Sequence, residues 1–446
     1  MNLTRSSPAL AASAAAAMAA VAIGHALVIT DGMYDSRALA WIAAGLGLTC
    51  IGVFLPHSTG NPLVIFLCIA GVLWQIWQNM QKPPVLEISD QAVLLCYYTI
   101  ALPLMGAAAV GAVLLTRLSR PVFIPLLLAT HFVMGAALLH FSRPPLLDVY
   151  GVSTNACQAI SNGISPYAVD FANSAYGPWQ KSFFPPGSVV NGRVELGYPY
   201  MPLDLAVEYP SYVLTHDFRY GLLLAMTVAG GLVAYCAGGP LPAAAAGLLL
   251  LTPMGYFTIQ QSWVDPVVVV AMAAVVFCAC RAPRWTAVAL GLLIVSKQDL
   301  LLVLPVSPLL LPRAIPARRF FATAISIAAA VTLPLVLWNP RAFWHSAVEW
   351  HLRNPFRGDS LNFAAAWVHL GHAPPPDYLA FIVAGVAMLA ALIVPRSAAG
   401  FSMVVSLIYL CFFAAAKLAF CNYYIFVISV LCCAVAASGG EDHSPA

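Results

Sequence analysis

Apolar runs dominate the first part of the chain, at 9–30, 38–56, 62–80, 91–115 and 121–141. Their hydrophobic residues are continuous rather than alternating, and ~20 such residues let a helix cross a bilayer. A polar stretch rich in Pro, Gly and Tyr then fills 142–217. Apolar runs resume at 218–237, 241–257, 264–280, 285–298, 300–312 and 320–338. A second polar stretch, 339–377, precedes the last runs at 378–395, 399–416 and 420–438. The pattern predicts an all-α, polytopic transmembrane protein of about 13–14 spans, with two long outer loops that carry interfacial helices. The continuity of the runs excludes a β-barrel. The runs at 285–298 and 300–312 are short and separated only by SKQD, which fits one broken helix pair.

Composition reinforces the pattern. Of 446 residues, 61% are hydrophobic and 8% are charged, against ~25% charged in a soluble domain. Such a surface must face lipid. A net charge of +3 spread over so few charges gives no reason to expect nucleic acid. The 11 cysteines lie mostly inside apolar runs without zinc-ligand spacing, so they read as small apolar fillers. The Ala-rich run behind Arg5 reads as an uncleaved first span. With Arg5 placed in the cytoplasm, Arg117, Arg120, Arg281, Arg284, Arg313, Arg318, Arg319 and Arg396 also fall on that side. Both long loops then fall outside, and the tail 439–446 falls inside. No internal repeat of the kind common in transporters is visible.

Several polar residues interrupt this scheme, each open to two readings. Pro144 and Pro145 end a span, and Asp148 opens a helical stretch, DVYGVSTNACQAISNG. A carboxylate there caps the helix, or acts as a general base at the membrane–water boundary. GYPYMPLDLAVEYP (197–210) is a rigid turn, or the Tyr-lined wall of a sugar or lipid cleft, with Tyr198 and Tyr200. In QQSWVDP (260–266), Asp265 caps a helix begun by Pro266, or joins Gln261 as a second polar group of a site. In VSKQDLL (295–301), Lys297 pairs with Asp299 across a turn, or Lys297 and Gln298 serve a function near the membrane. In the second loop, Arg341, His345, His351, Arg353 and Arg357 contact lipid headgroups or bind an anion such as phosphate. Phe343, Ala347, Trp350 and Leu352 are expected to share one face of an interfacial helix there.

Taken in order, DVYGVSTNACQAISNGISPYA, GYPYMPLDL, QSWVDP, SKQ, HLRNPFRGDS and CNYY resemble segments of integral-membrane glycosyltransferases of the GT-C superfamily. The likeness is to the branch that uses polyprenyl-phosphate sugars and includes bacterial mannosyltransferases, and it runs over roughly 121–437. It implies a catalytic transmembrane domain at 121–438, preceded by an added module of about four spans at 1–120. Asp148 matches the family's catalytic base in an inverting hexosyl or pentosyl transfer. Lys297, Gln298, His351, Arg353 and Arg357 are then expected at the donor phosphate. Tyr150, Tyr198, Tyr200, Gln261 and Asp265 are expected around the substrate. Many relatives carry paired acids where this chain has a lone Asp, which favours a mechanism with no cofactor and no divalent metal. The implied partners are a polyprenyl-phosphate sugar, a glycan, lipid or protein acceptor, and the lipid bilayer of a bacterial inner membrane. No Gly-rich nucleotide loop is present, in agreement with a lipid-linked donor. The rival reading, a transporter or flippase of lipid-linked saccharide, wants charges at mid-membrane and internal repeats.

Overall fold

The apolar runs fold into helices whose starts are set by short polar side chains and prolines. A computed structural model describes residues 11–56, 62–172 and 184–439; Arg5 and positions 440–446 of the tail lie outside the described residues. The chain opens with α1 (Ala12–Thr30), α2 (Ser36–Phe54), α3 (Pro62–Asn79), α4 (Gln91–Leu114) and α5 (Thr116–Phe141). Asp35 caps α2 and Asp90 caps α4 by accepting backbone N–H bonds. The first long loop contributes α6 (Asp148–Ser161) and α7 (Pro202–Thr215). Next come α8 (Arg219–Tyr235), α9 (Leu241–Leu250), α10 (Asp265–Arg281), α11 (Thr286–Leu293) and α12 (Ala317–Trp338). The second loop carries α13, built from Pro340–Trp344, a π turn His345–Glu349 and Trp350–Arg353. The chain finishes with α14 (Tyr378–Leu392), α15 (Ala398–Ala415) and α16 (Cys421–Ala437).

The protein is thus all-α and polytopic. Among the described residues, 7 helices are long and apolar enough to cross a membrane, with a further 5 apolar helices of 10–17 residues. The expected runs come out shorter in places because breakers cut them. The run at 285–312 is the clearest case: α11 stops at Leu293, and the chain resumes as a 3-10 helix, Gln298–Leu310, that contains Pro305 and Pro308. Each proline removes an N–H that an α-helix would need. At ~2.0 Å rise per residue, thirteen 3-10 residues reach ~26 Å, close to the ~30 Å hydrocarbon core. The 3-10 form gives a short sequence most of the length of a span.

Helix α1 is apolar on all sides and lies at the centre, packed on α2, α3 and α16. Its alanines and the glycines opposite let backbones approach closely; a Cβ at Gly71 would come within 2.8 Å of Val21 Cγ2. Helix α9 packs on α3, α4 and α16. Residues from both sides of position 120 therefore share one apolar core. By contrast α12 keeps only 11% of its apolar window buried, the exposure expected of a lipid-facing helix. At one end of the bundle, Arg120 donates to the Ala237 carbonyl and Arg281 to that of Tyr235. The opposite end of α8 begins at Arg219, bonded to Asp217, and there the long loops dock.

The first loop adds a 3-10 turn, Pro166–Ala168, and a small antiparallel sheet of β1 (Phe171–Ala172), β2 (Val189–Val190) and β3 (Arg193–Val194) in the order β1–β3–β2. A separate apolar cluster that includes Val152, Tyr167, Phe171, Phe184, Ala347 and Trp350 ties this loop to α13. The face of α13 that docks carries Phe343, Ala347 and Trp350, as expected, but not Leu352, which is 71% exposed. Leu352 lies two positions past Trp350, ~200° around a helix of 3.6 residues per turn, and so points away.

Candidate functional site

The site starts from the break between α11 and the 3-10 helix. Lys297 takes an extended conformation there, with φ −156° and ψ 147°, and its ammonium reaches α10. Nζ donates to Asp265 Oδ1 at 3.0 Å. The other oxygen, Oδ2, accepts from Asn422 Nδ2 at 2.6 Å, and Lys297 Nζ lies 4.2 Å from the centroid of the Tyr423 ring. Three elements distant in sequence thus meet at one carboxylate that is 1% exposed. This corrects two expectations. Asp265 does not cap α10, whose N-cap is Val264 without a side-chain bond. Lys297 donates to Asp265 rather than to Asp299, whose Oδ1 has no hydrogen-bond partner among the described residues.

Tyr200 brings the first loop to the same place. Burial above all, and then the negative charge of Asp148, hold its hydroxyl well above the usual tyrosine range, with Tyr423, Asp265 and Glu208 adding to the effect. Asp148 is the first residue of α6, and Leu147 is the N-cap. Its Oδ1 accepts the Val149 N–H at 2.9 Å, so the carboxylate supports the helix start while its charge acts on Tyr200. The tyrosine turn is pinned from two sides at the Pro199 carbonyl, which accepts from Gln298 Nε2 at 2.8 Å and His351 Nε2 at 2.7 Å. Gln298 also donates to the Ala347 carbonyl at 2.8 Å. Both of its amide protons are then used, and in this arrangement it holds the loop with none left for a phosphate. Burial lowers His351 from its ordinary value, in keeping with a neutral ring that offers one N–H.

Sequence reasoning missed two acids. Asp204 and Glu208 sit one turn apart on α7, each 0% exposed. Glu208 accepts from the Tyr198 hydroxyl at 2.9 Å and from Ser153 Oγ at 3.2 Å, and burial raises its carboxyl to about 8. Neither oxygen of Asp204 has a hydrogen-bond partner among the described residues. Burial, then Glu208, pushes this carboxyl well above the carboxylate range. The available signal was an acid pair spaced i, i+4 behind Pro202, masked when the stretch is taken as a turn.

Other expected residues stand apart. Arg353 is exposed and pairs with Glu349 at 3.2 Å. Arg357 grips Asp359 with two bonds of 2.8 and 2.6 Å and lies over Phe420, though its charge still reaches Tyr423. Tyr150 leaves α6 on another side, against Phe218 and 5.5 Å from the Arg219 guanidinium. Gln261 donates to Gln260 Oε1 at 2.6 Å, in a network that runs to the carbonyls of Leu86 and Arg143. Arg341 is exposed, and His345 bonds Glu349 and the Glu195 carbonyl. Among the described residues no group of three or more His, Cys, Asp or Glu side chains is placed to hold a metal ion.

The raised Glu208 carboxyl has a consequence for stability. The folded state holds its proton up to about 8, whereas the unfolded chain releases it near the ordinary glutamate value, ~4.3. Between these values the folded state binds more protons, so rising pH costs stability, and the loss is complete above about pH 8. Glu208→Gln has no such proton to lose. The difference in thermal midpoint between Glu208→Gln and the wild type is expected to shift in favour of the variant from pH 5 to pH 9. The gain is a few kcal/mol at most, at ~1.4 kcal/mol per unit. A difference that stays flat across that range removes Glu208 as the source.

No family model, curated protein or solved structure matches this chain. The reading of the site therefore rests on its own chemistry.

Proposed function

We propose that this chain is an integral-membrane glycosyltransferase of GT-C type, which moves a sugar from a polyprenyl-phosphate donor to an acceptor hydroxyl. The observation that carries the reading is the buried Asp265–Lys297–Tyr423 group, set beside Tyr200 and the charge of Asp148 at the end of the bundle where both long loops dock. A polyprenyl chain enters from the bilayer, which suits a cation held at the membrane end of an apolar bundle. The basic short loops represented by Arg120 and Arg281 lie at the other end, which supports a site facing outward from a bacterial inner membrane with both termini cytoplasmic.

In the proposed reaction Asp148 takes the proton of the acceptor hydroxyl while that oxygen attacks the anomeric carbon. The carbon–oxygen bond to phosphate breaks with inversion, and the electron pair leaves on polyprenyl phosphate. Lys297 is the cation best placed to meet the developing charge, with Arg357 behind it, while His351 holds the Pro199 carbonyl. Gln298 positions the Pro199 turn, and Arg353 takes a place at the rim. The reaction as written uses no cofactor.

The test uses the purified full chain in liposomes, supplied with radiolabelled polyprenyl-phosphate sugar or with nucleotide sugar, plus a membrane extract as acceptor. Transfer is expected from the lipid-linked donor alone. Transfer from nucleotide sugar in liposomes free of donor lipid overturns the donor assignment. Movement of intact lipid-linked saccharide between leaflets, with no bond cleaved, replaces the enzyme with a transporter.

A further inference from the structure

Beyond the acid–lysine group the loops form a wide-open cavity of about 710 Å³, lined by none of the residues given a role in the proposed reaction, with His345 of the second loop at its border. Its size lies within the ~300–1,000 Å³ of small-molecule sites. One side is α6 with its C-cap, which presents Asn155, Gln158 and Asn162; the other side brings Asp170, Arg193 and Glu195, and the two meet where Asn155 Nδ2 donates to the Asp170 carbonyl at 3.3 Å. Tyr167 links the cavity to the site: it lines the cavity, and its hydroxyl donates to the Tyr200 carbonyl at 3.0 Å.

The lining identifies the kind of ligand. A side-chain amide offers both donors and an acceptor without charge, which matches hydroxyl groups. Arg193 is already held by Asp170 at 2.6 Å, and Glu195 adds a further acid, so the walls do not favour an anion. The apolar share of the lining comes from Ala159, Ile164, Ala168, Val169 and Ala342. Helix geometry supplies the direction. Asp148 and Asn155 lie seven residues apart, which places them on one stripe of α6 ~10 Å apart, with Asn162 following at the C-cap.

We propose that this cavity is the acceptor subsite, and that it takes a neutral oligosaccharide laid along α6 with its terminal hydroxyl at Asp148. The proposal rests on the transferase reading above. It makes the preferred acceptor a chain of several sugars rather than a single sugar or a simple lipid alcohol.

The test measures binding of maltotetraose, α-1,6-mannotetraose, α-1,5-arabinotetraose and chitotetraose to the full chain in nanodiscs by saturation-transfer NMR and calorimetry. At least one tetrasaccharide is expected to bind. The double variant Asn155→Ala/Gln158→Ala is expected to weaken it by at least about tenfold, as two lost hydrogen-bonding amides imply. In transfer assays the same variant raises the KM for acceptor and leaves the KM for donor unchanged. Gln158→Ala/Asn162→Ala, at two exposed positions, repeats the measurement should the first variant fold poorly. Failure of every tetrasaccharide to bind, or an affinity unchanged in both variants, overturns the subsite. Binding that the variants weaken, in a wild type that transfers no sugar, keeps the subsite and sinks the transferase reading. Transfer with an unchanged acceptor KM in the variants does the reverse.

Discussion

Asp148→Asn is expected to lower the kcat of sugar transfer by ~10²–10⁴-fold, the usual contribution of a positioned general base, with insertion and thermal midpoint close to wild type. The choice of Asn matters because Asp148 has two roles that Ala would remove together. Its Oδ1 accepts the Val149 N–H at the start of α6, and an amide oxygen accepts that bond equally well. What Asn cannot do is take a proton from an acceptor hydroxyl. Asp148→Ala is expected to lose both the activity and ~0.3–1 kcal/mol of helix-start support. Initial rates with radiolabelled polyprenyl-phosphate donor and thermal midpoints of the same preparations separate the two effects. A wild-type rate in Asp148→Asn removes this residue from the chemistry and leaves it a helix-start carboxylate.

How much of this was legible in the sequence depends on the distance between partners. Features set within one turn or one run could be read: the spans, the helix that starts at Asp148, the break at SKQD. The pairs of Arg353 with Glu349 and Arg357 with Asp359 are local too, set four and two residues apart. The central contacts were different. Asp265 meets Lys297 across 32 residues and Asn422 across 157, and no periodicity reports on such a meeting. Local patterns offered Asp265 a cap and Lys297 a turn partner, both reasonable within a window of seven residues. Tertiary packing overrode both, because a buried ammonium and a buried carboxylate gain more from each other than from helix ends. The same blindness hid Asp204 and Glu208: their spacing is helical, but only the docked loops reveal that the face they occupy is closed to water.

The Asp265–Lys297 pair gives the second large effect, and it separates structure from chemistry. Removing one partner strands a charge with side-chain exposure of 2% for Asp265 or 14% for Lys297. Asp265→Ala and Lys297→Ala are each expected to destabilise the chain by ~3–5 kcal/mol, the cost of an uncompensated buried charge. Asp265 is the more damaging site because its loss also leaves the Asn422 amide without its acceptor. Replacing both, as Asp265→Asn with Lys297→Met, removes the charges together and keeps an amide oxygen for Asn422, so most of the stability is expected to return. Activity is not expected to return with it, since the proposed phosphate cation is gone. Unfolding midpoints of the two singles and the double in one detergent form a cycle whose coupling term isolates the pair. Singles within about 1 kcal/mol of wild type mean that water or lipid headgroups already screen the pair. A double variant that regains transfer along with stability means that Lys297 holds the bundle together and that the leaving phosphate is met by another group, with Arg357, whose charge already reaches Tyr423, the next to test.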